Sequence, residues 1–271
     1  MRRSGAEVHL TVNGKQVRAA TGGRPLEPDR PLLLLIHGAG QDHTVWALVA
    51  RALAHGGFSV LAPDLPGHGP SAGPAPTSVE AYAEWSADLI EATGYGAAHI
   101  GGHSMGSLAA LELAATRPEL VTSLVLLGTA ATMPVHPELQ AAADDGEHLA
   151  IQLITLWGFA SHTHLGRHPT PGLTLRDAAV KLMRRIDPDV IASDLRASSS
   201  YAKALDAAAL VKCPSLMVLG DHDLMTPTQN ATALSAVLDA STVVLPQTGH
   251  MMMLERPHEV IDTMVDFLRA T

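Results

Sequence analysis

Cysteine is all but missing from this 271-residue chain, in which Cys213 stands alone. One thiol makes neither an internal disulfide nor a thiolate metal site, so the fold must rest on its core. Basic residues are also sparse, with 18 Lys and Arg against 27 Asp and Glu and a formal net charge of −9. No Lys/Arg cluster stands ready to displace counterions from a polyphosphate backbone, which argues against nucleic acid as a partner. Long apolar runs are absent too. No window approaches the ~18–20 uninterrupted apolar residues of a membrane span. The opening Met1 to Gly5 carries two arginines, but Glu7 to Leu10 is a mixed run without the apolar core of a signal peptide. The expected location is therefore the cytoplasm.

What is present is a 46% hydrophobic composition with 23 Gly and 18 Pro. That is ample for a core in one large α/β domain or two small ones, and it speaks against disorder. Fifteen histidines nearly match the lysines and arginines together.

Val8 to Val12 alternates, Asn13-Gly14 follows, and Gln16 to Ala20 continues. An Asn-Gly pair between two short alternating segments predicts a β-hairpin, because both turn positions need positive φ. Leu32 to Ile36 is instead a continuous apolar run, as in a strand buried on both faces of a parallel sheet. Further short strands are expected at Ser59–Ala62, His99–Gly102, Leu124–Leu127, Leu216–Leu219 and Val243–Leu245. Helices are expected at Thr44–Leu53, Val79–Thr93, Ser104–Thr116, Leu234–Leu238 as the continuation of one, and Glu259–Arg269. Strands and helices in this rhythm predict a doubly wound, mostly parallel sheet with an N-terminal β-hairpin. From Met133 to Tyr201 no buried strand is evident, only helical patches such as Leu149–Trp157 and Leu175–Ile186. This excursion reads as a helical cap, dividing the chain into core residues 1–131, cap 132–205 and core 206–271.

Gly102-His103-Ser104-Met105-Gly106 lies where a buried strand meets an Ala/Leu helix. A serine on so tight a strand-to-helix turn requires small neighbours, which the two glycines supply. The bland alternative is a serine that caps the helix. A nucleophilic serine needs a base, and the base needs an orienting carboxylate. Asp221 and Asp223 follow the strand Leu216–Leu219, and His250 follows Val243–Leu245, all at the sheet edge where doubly wound folds place their ligands. The order Ser, Asp, His fits that arrangement.

These pieces together resemble the α/β-hydrolase fold enzymes over nearly all of the chain outside the cap. His37-Gly38 with Trp46 is similar to the family's oxyanion-loop segment, and Asp64-Leu65-Pro66-Gly67-His68-Gly69-Pro70-Ser71 to the loop after its next strand. Gly102 to Gly106 resembles its nucleophile elbow, Gly220 to Pro227 its acid loop, and Gly249-His250 with Glu255-Arg256-Pro257 its histidine segment. The resemblance implies Ser104 as nucleophile, His250 as base and Asp223, rather than Asp221, as its orienter. It implies the amides of Ala39 and Met105 as the oxyanion hole. Gly128 to Ala131, after the strand before the cap, offers no competing acid.

Leu153, Leu156, Trp157 and Phe159 are the expected apolar lining of a substrate pocket in the cap. Gly67-His68-Gly69 follows a strand as a dinucleotide loop would, but Pro70, Pro74 and Pro76 forbid the helix that would hold the pyrophosphate. His162, His164 and His168 lie close together, yet that stretch has no Asp, Glu or Cys, so no metal site is expected. No cofactor is expected either. Cys213 before Pro214 reads as a small buried hydrophobe. His37 and His103 read as braces for backbone. The expected function is hydrolysis of carboxylic esters of small, largely apolar molecules through an acyl-enzyme. Thioester or lactone hydrolysis, carbon-carbon cleavage, perhydrolysis and acyl transfer need the same three residues, and a non-catalytic small-molecule receptor is the remote alternative.

Overall fold

The computed structural model describes residues 7–165 and 174–271. The Met1–Gly5 opening and His168 lie outside the described residues. β1 (Glu7–Val12) and β2 (Lys15–Ala20) pair antiparallel with Val12 opposite Lys15. Asn13 and Gly14, at φ 50° and 76°, form the two-residue turn that their chemistry predicts. β2 then meets the edge of a parallel array made of β3 (Leu32–Ile36), β4 (Ser59–Pro63), β5 (Ala98–His103), β6 (Val121–Leu127), β7 (Ser215–Gly220) and β8 (Ser241–Leu245). The eight strands run in the order β1-β2-β4-β3-β5-β6-β7-β8.

Both faces of this sheet are covered. Leu32, Leu34 and Ile36 of β3 point into one core with α2 (Val79–Thr93), α3 (Met105–Thr116) and the later α8 (Ala204–Ala208) and α9 (Thr228–Leu238). Leu33 and Leu35 point into the other, with α1 (Ala47–His55), α10 (Met252–Glu255) and α11 (Pro257–Ala270). A side-chain period of two explains why a strand covered on both faces reads as an unbroken apolar run. α2 shows how local chemistry sets an element's ends. Ser78 accepts from Ala81 N–H at its start, and Gly94, at φ 81°, closes it.

Between β6 and β7 the described chain is helical: α4 (Pro137–Asp144), α5 (His148–Trp157), α6 (Leu175–Met183) and α7 (Pro188–Ser200) precede α8. α4, α5, α7 and the Met183 end of α6 share a third apolar cluster that includes Leu139, Ile154, Met183, Ile191 and Leu195. Two of these helices, α4 and α7, are faint in the sequence. Each opens on a proline that suits the first helical position, but their apolar stripes are diluted with Ala, Ser and Asp.

The chain leaves β3 for β4 on one side, then crosses back to β5 on the other. Loops therefore diverge above the C-terminal ends of β3 and β5, opening a crevice at the switch point of the sheet.

Candidate active site

Ser104 sits at that crevice, at φ 53° and ψ −123°, between β5 and α3. This is backbone that L side chains seldom adopt, and it is why α3 begins at Met105 and not at Ser104. The turn is as tight as its glycines suggest. A Cβ on Gly102 would lie 2.2 Å from Gly106 O, and one on Gly106 would lie 2.4 Å from His37 O. Ser104 N–H donates to Leu127 O across to β6 at 3.0 Å.

Asp223, beyond β7, is buried and accepts at Oδ1 from Met225 and Thr226 N–H, each at 2.8 Å. Its Oδ2 accepts from Thr226 Oγ1 at 2.7 Å and from His250 Nδ1 at 2.8 Å. Burial alone would raise this carboxyl; the His250 charge and hydrogen bond, with the Thr226 bonds, outweigh it and hold the group at about 2. An ionised carboxylate only accepts, so His250 Nδ1 carries a proton and donates to Asp223. His250 Nε2 is buried and makes no hydrogen bond. Asp221 is turned elsewhere, accepting from Thr248 N–H at 3.1 Å. Gly128, at φ 57°, underlies the imidazole: a Cβ there would lie 3.0 Å from His250 Nδ1 and Cε1.

Ser104, His250 and Thr226 line one cavity of about 270 Å³ together with Ala39, Gln41 and Met251. Trp157 and Phe159 line it as well. Leu153 and Leu156 do not. On α5, Ile154, Thr155 and Trp157 turn to the cavity, as does Gly158 just beyond it, whereas Leu156 is 40% exposed and Leu153 packs into the third apolar cluster. Spacing identifies a helical stripe but not which of its two apolar flanks meets the void. Met133, Leu139, Leu175, Ala179, Leu182 and Leu195 supply much of the remaining wall. Among the described lining residues none is Asp, Glu, Lys or Arg.

The loop after β3 is held at two amides. Gly38 N–H donates to Gln41 Oε1 at 3.1 Å and Gly40 N–H to Asp194 Oδ2 at 2.9 Å, with Ala39 between them. His37 braces it further. Its Nδ1 donates to Gly38 O at 2.9 Å and its Nε2 accepts from Leu65 N–H at 3.0 Å. Burial, then the nearby His68, push His37 down to about 4, so it stays neutral. His103 donates from Nε2 to His250 O at 3.0 Å, and burial holds it neutral as well. Asp42, His43 and Asp64 bring their donor atoms within 4.8 Å of one another. These bonds serve the same loop: Asp64 Oδ1 accepts from His43 N–H and Nδ1, and Asp42 Oδ1 from Thr44 N–H. Cys213 is half-buried, and burial pushes its thiol up, away from nucleophilic use.

Thr226, Gln41 and Asp194, which itself accepts from the Tyr82 hydroxyl at 2.6 Å, carry much of this geometry and go unflagged by sequence reading. Thr226 follows Asp223 by three residues, the spacing of a side-chain-capped turn, and is the one such signal available. No described helix is long and apolar enough to cross a membrane.

A family model for the alpha/beta hydrolase fold matches residues 31–257. A pimeloyl-[acyl-carrier protein] methyl ester esterase from Aromatoleum aromaticum is 31% identical over 261 residues, covering 89% of this chain and all of that protein. A putative carbamate hydrolase from Pseudomonas savastanoi is 28% identical, covering 89% of this chain and 95% of the relative. Among solved structures, the enol-lactonase from Burkholderia xenovorans superposes with a TM-score of 0.86 at 25% identity, over 97% of this chain and all of that one. With strand order, serine turn and family model in agreement, the chain belongs to the α/β-hydrolase fold family.

Proposed function

We propose that the protein is a serine hydrolase that cleaves small, uncharged carboxylic esters through an acyl-enzyme. The observation that carries this reading is a histidine fixed by a buried carboxylate, with no hydrogen bond at Nε2, lining the same cavity as Ser104. In this reading Ser104 Oγ attacks the carbonyl while His250 Nε2 takes its proton. Asp223 holds the imidazole in the Nδ1–H tautomer and stabilises the imidazolium that forms. The amides of Ala39 and Met105 receive the oxyanion of the tetrahedral intermediate. His250 then returns the proton to the departing alkoxide, and the same steps with water release the acid.

Residues 132–205 act as a cap over this core, with Trp157 and Phe159 in the pocket wall. The esterase, carbamate hydrolase and lactonase named above are all similar to this chain, and the activity of each supports acyl-group hydrolysis as the reaction class. The lack of Asp, Glu, Lys and Arg among the described lining residues favours a neutral ester within that class.

The test is Ser104→Ala on a short aryl ester such as p-nitrophenyl butyrate, beside labelling with a fluorophosphonate. Turnover falling by about a thousandfold or more, with labelling lost, is the expected result. Ser104→Ala retaining either one removes Ser104 from the nucleophile role. A parallel panel of ester, thioester, lactone and amide substrates ranks the bonds cleaved.

A further inference from the structure

Asp194 sits on α7, far in sequence from everything it bonds, and it is fully buried. Its Oδ2 accepts from Gly40 N–H at 2.9 Å and faces His68 Nε2 at 2.8 Å. Its Oδ1 accepts from the Tyr82 hydroxyl at 2.6 Å. The partners come from the loop after β3, the loop after β4 and helix α2. A single carboxylate thus ties the helical excursion to three separate parts of the sheet layer.

His68 makes the tie ionic. Its Nδ1 faces Pro66 O at 3.1 Å and its Nε2 faces the carboxylate, two acceptors with no proton to give. Both ring nitrogens thus face acceptors, an arrangement that favours the doubly protonated ring. Burial opposes that charge, but Asp194 outweighs it and holds His68 above its ordinary value. The His68 ring also meets His37 edge-on at 4.8 Å, the same His37 that braces Gly38.

Gly40 is pressed as well as bonded. It has φ 62°, and a Cβ there would lie 2.8 Å from Met183 Cε and 3.2 Å from Ile191 Cγ1, side chains of α6 and α7. Gly38 N–H is tethered on the other side of Ala39. The orientation of the Ala39 peptide is thus set between one tether inside its own loop and one from α7.

We propose that Asp194 is a positioning residue, a strut from α7 that fixes the Gly40 amide and thereby aims the Ala39 N–H into the pocket. Oxyanion stabilisation then exists only while the helical excursion is seated on the core. This inference rests on Ala39 serving the oxyanion hole, as proposed above. A merely structural carboxylate would affect stability and leave the balance of kcat and KM alone.

The test compares wild type, Asp194→Ala, Asp194→Asn and Ser104→Ala in kcat and KM on p-nitrophenyl butyrate and in hydrogen exchange of the peptide covering residues 37–41. Asparagine can still accept from Gly40 and His68 while its amide donates to the Tyr82 oxygen. Asp194→Ala is expected to lower kcat by about 30- to 100-fold with KM within about threefold. Exchange should speed up in 37–41 while peptides from β5 and β6 keep wild-type rates. Asp194→Asn should recover kcat to within about fivefold of wild type and restore the protection.

A folded Asp194→Ala with wild-type kcat, a loss confined to KM, or faster exchange spread over the whole core overturns the proposal. If Asp194→Ala does not fold, Asp194→Leu combined with His68→Leu removes both buried charges, refills the space and carries the same expectations. Wild-type turnover by Ser104→Ala would overturn the proposed function instead; the exchange measurement is independent of that outcome.

Discussion

At the level of single residues, the groups that do most to fix the site are those whose protonation the fold dictates. Asp223 stays ionised because His250 and the Thr226 bonds outweigh burial. Glu255 shows the opposite balance. Its Oε2 accepts from Ala160 N–H at 3.1 Å, yet burial dominates and raises the carboxyl to about 7. A carboxyl raised from 4.5 favours the folded state while protonated. Its contribution is fully present below about pH 4.5 and is lost as pH rises through about 7. Glu255→Gln is therefore expected to flatten the pH dependence of stability over that interval. The wild-type advantage in denaturant unfolding should shrink by on the order of 3 kcal/mol from pH 4.5 to pH 8. An unchanged difference across that range would assign the pH dependence to other groups. The preference for Asp223 over Asp221 rests on the family resemblance of the Gly220 to Pro227 segment, and it is Asp223 that meets His250 Nδ1 at 2.8 Å. Asp194 was not legible: in Ile191-Ala192-Ser193-Asp194-Leu195-Arg196 an acid reads as the solvent face of a helix. Only the tertiary fold reveals three donors around it.

At the level of elements, the β5–Ser104–α3 turn is where space is scarcest. A Cβ on Gly106 would meet His37 O and Ile36 O at 2.4 and 2.5 Å, both backbone atoms that cannot swing away. Gly106→Ala should cost about 3 kcal/mol or more in urea unfolding or abolish soluble expression. Gly96→Ala is the matched control: no atom lies within 4 Å of its Cβ and its φ is unexceptional, so its effect should stay within about 0.5 kcal/mol. Equal costs at the two positions would refute the steric reading. Elements with one unmistakable local cue were readable in advance. The Asn13-Gly14 turn needs positive φ at both residues, β3 is apolar throughout, and α2 has Ser78 before it and Gly94 after it. α4 and α7 bury narrow faces among Ala and Ser, and the pattern fades. The orientation of α5 was likewise hidden, because apolar residues on two of its sides mask which one meets the cavity.

At the level of the whole molecule, charge and cavity act in the same direction. The chain carries a formal −9, and the described cavity wall offers no Lys or Arg to a carboxylate. An aryl ester whose acyl chain ends in a free carboxylate should therefore show kcat/KM lower by about tenfold or more than its uncharged isostere. Comparable values for the pair would refute this reading of the cavity.

The hydrogen bond from Ser104 N–H to Leu127 O has a temporal meaning as well as a spatial one. The acceptor belongs to the strand beside β5, so the serine turn is completed only when β6 has come into register, and its local backbone preference gives no help before then. Asp223 and His250 arrive later still along the chain. Nascent or partly folded copies therefore hold a serine without its reactive pose. On the function proposed above, chemistry at Ser104 requires β5, β6 and the segments carrying Asp223 and His250 to be assembled together.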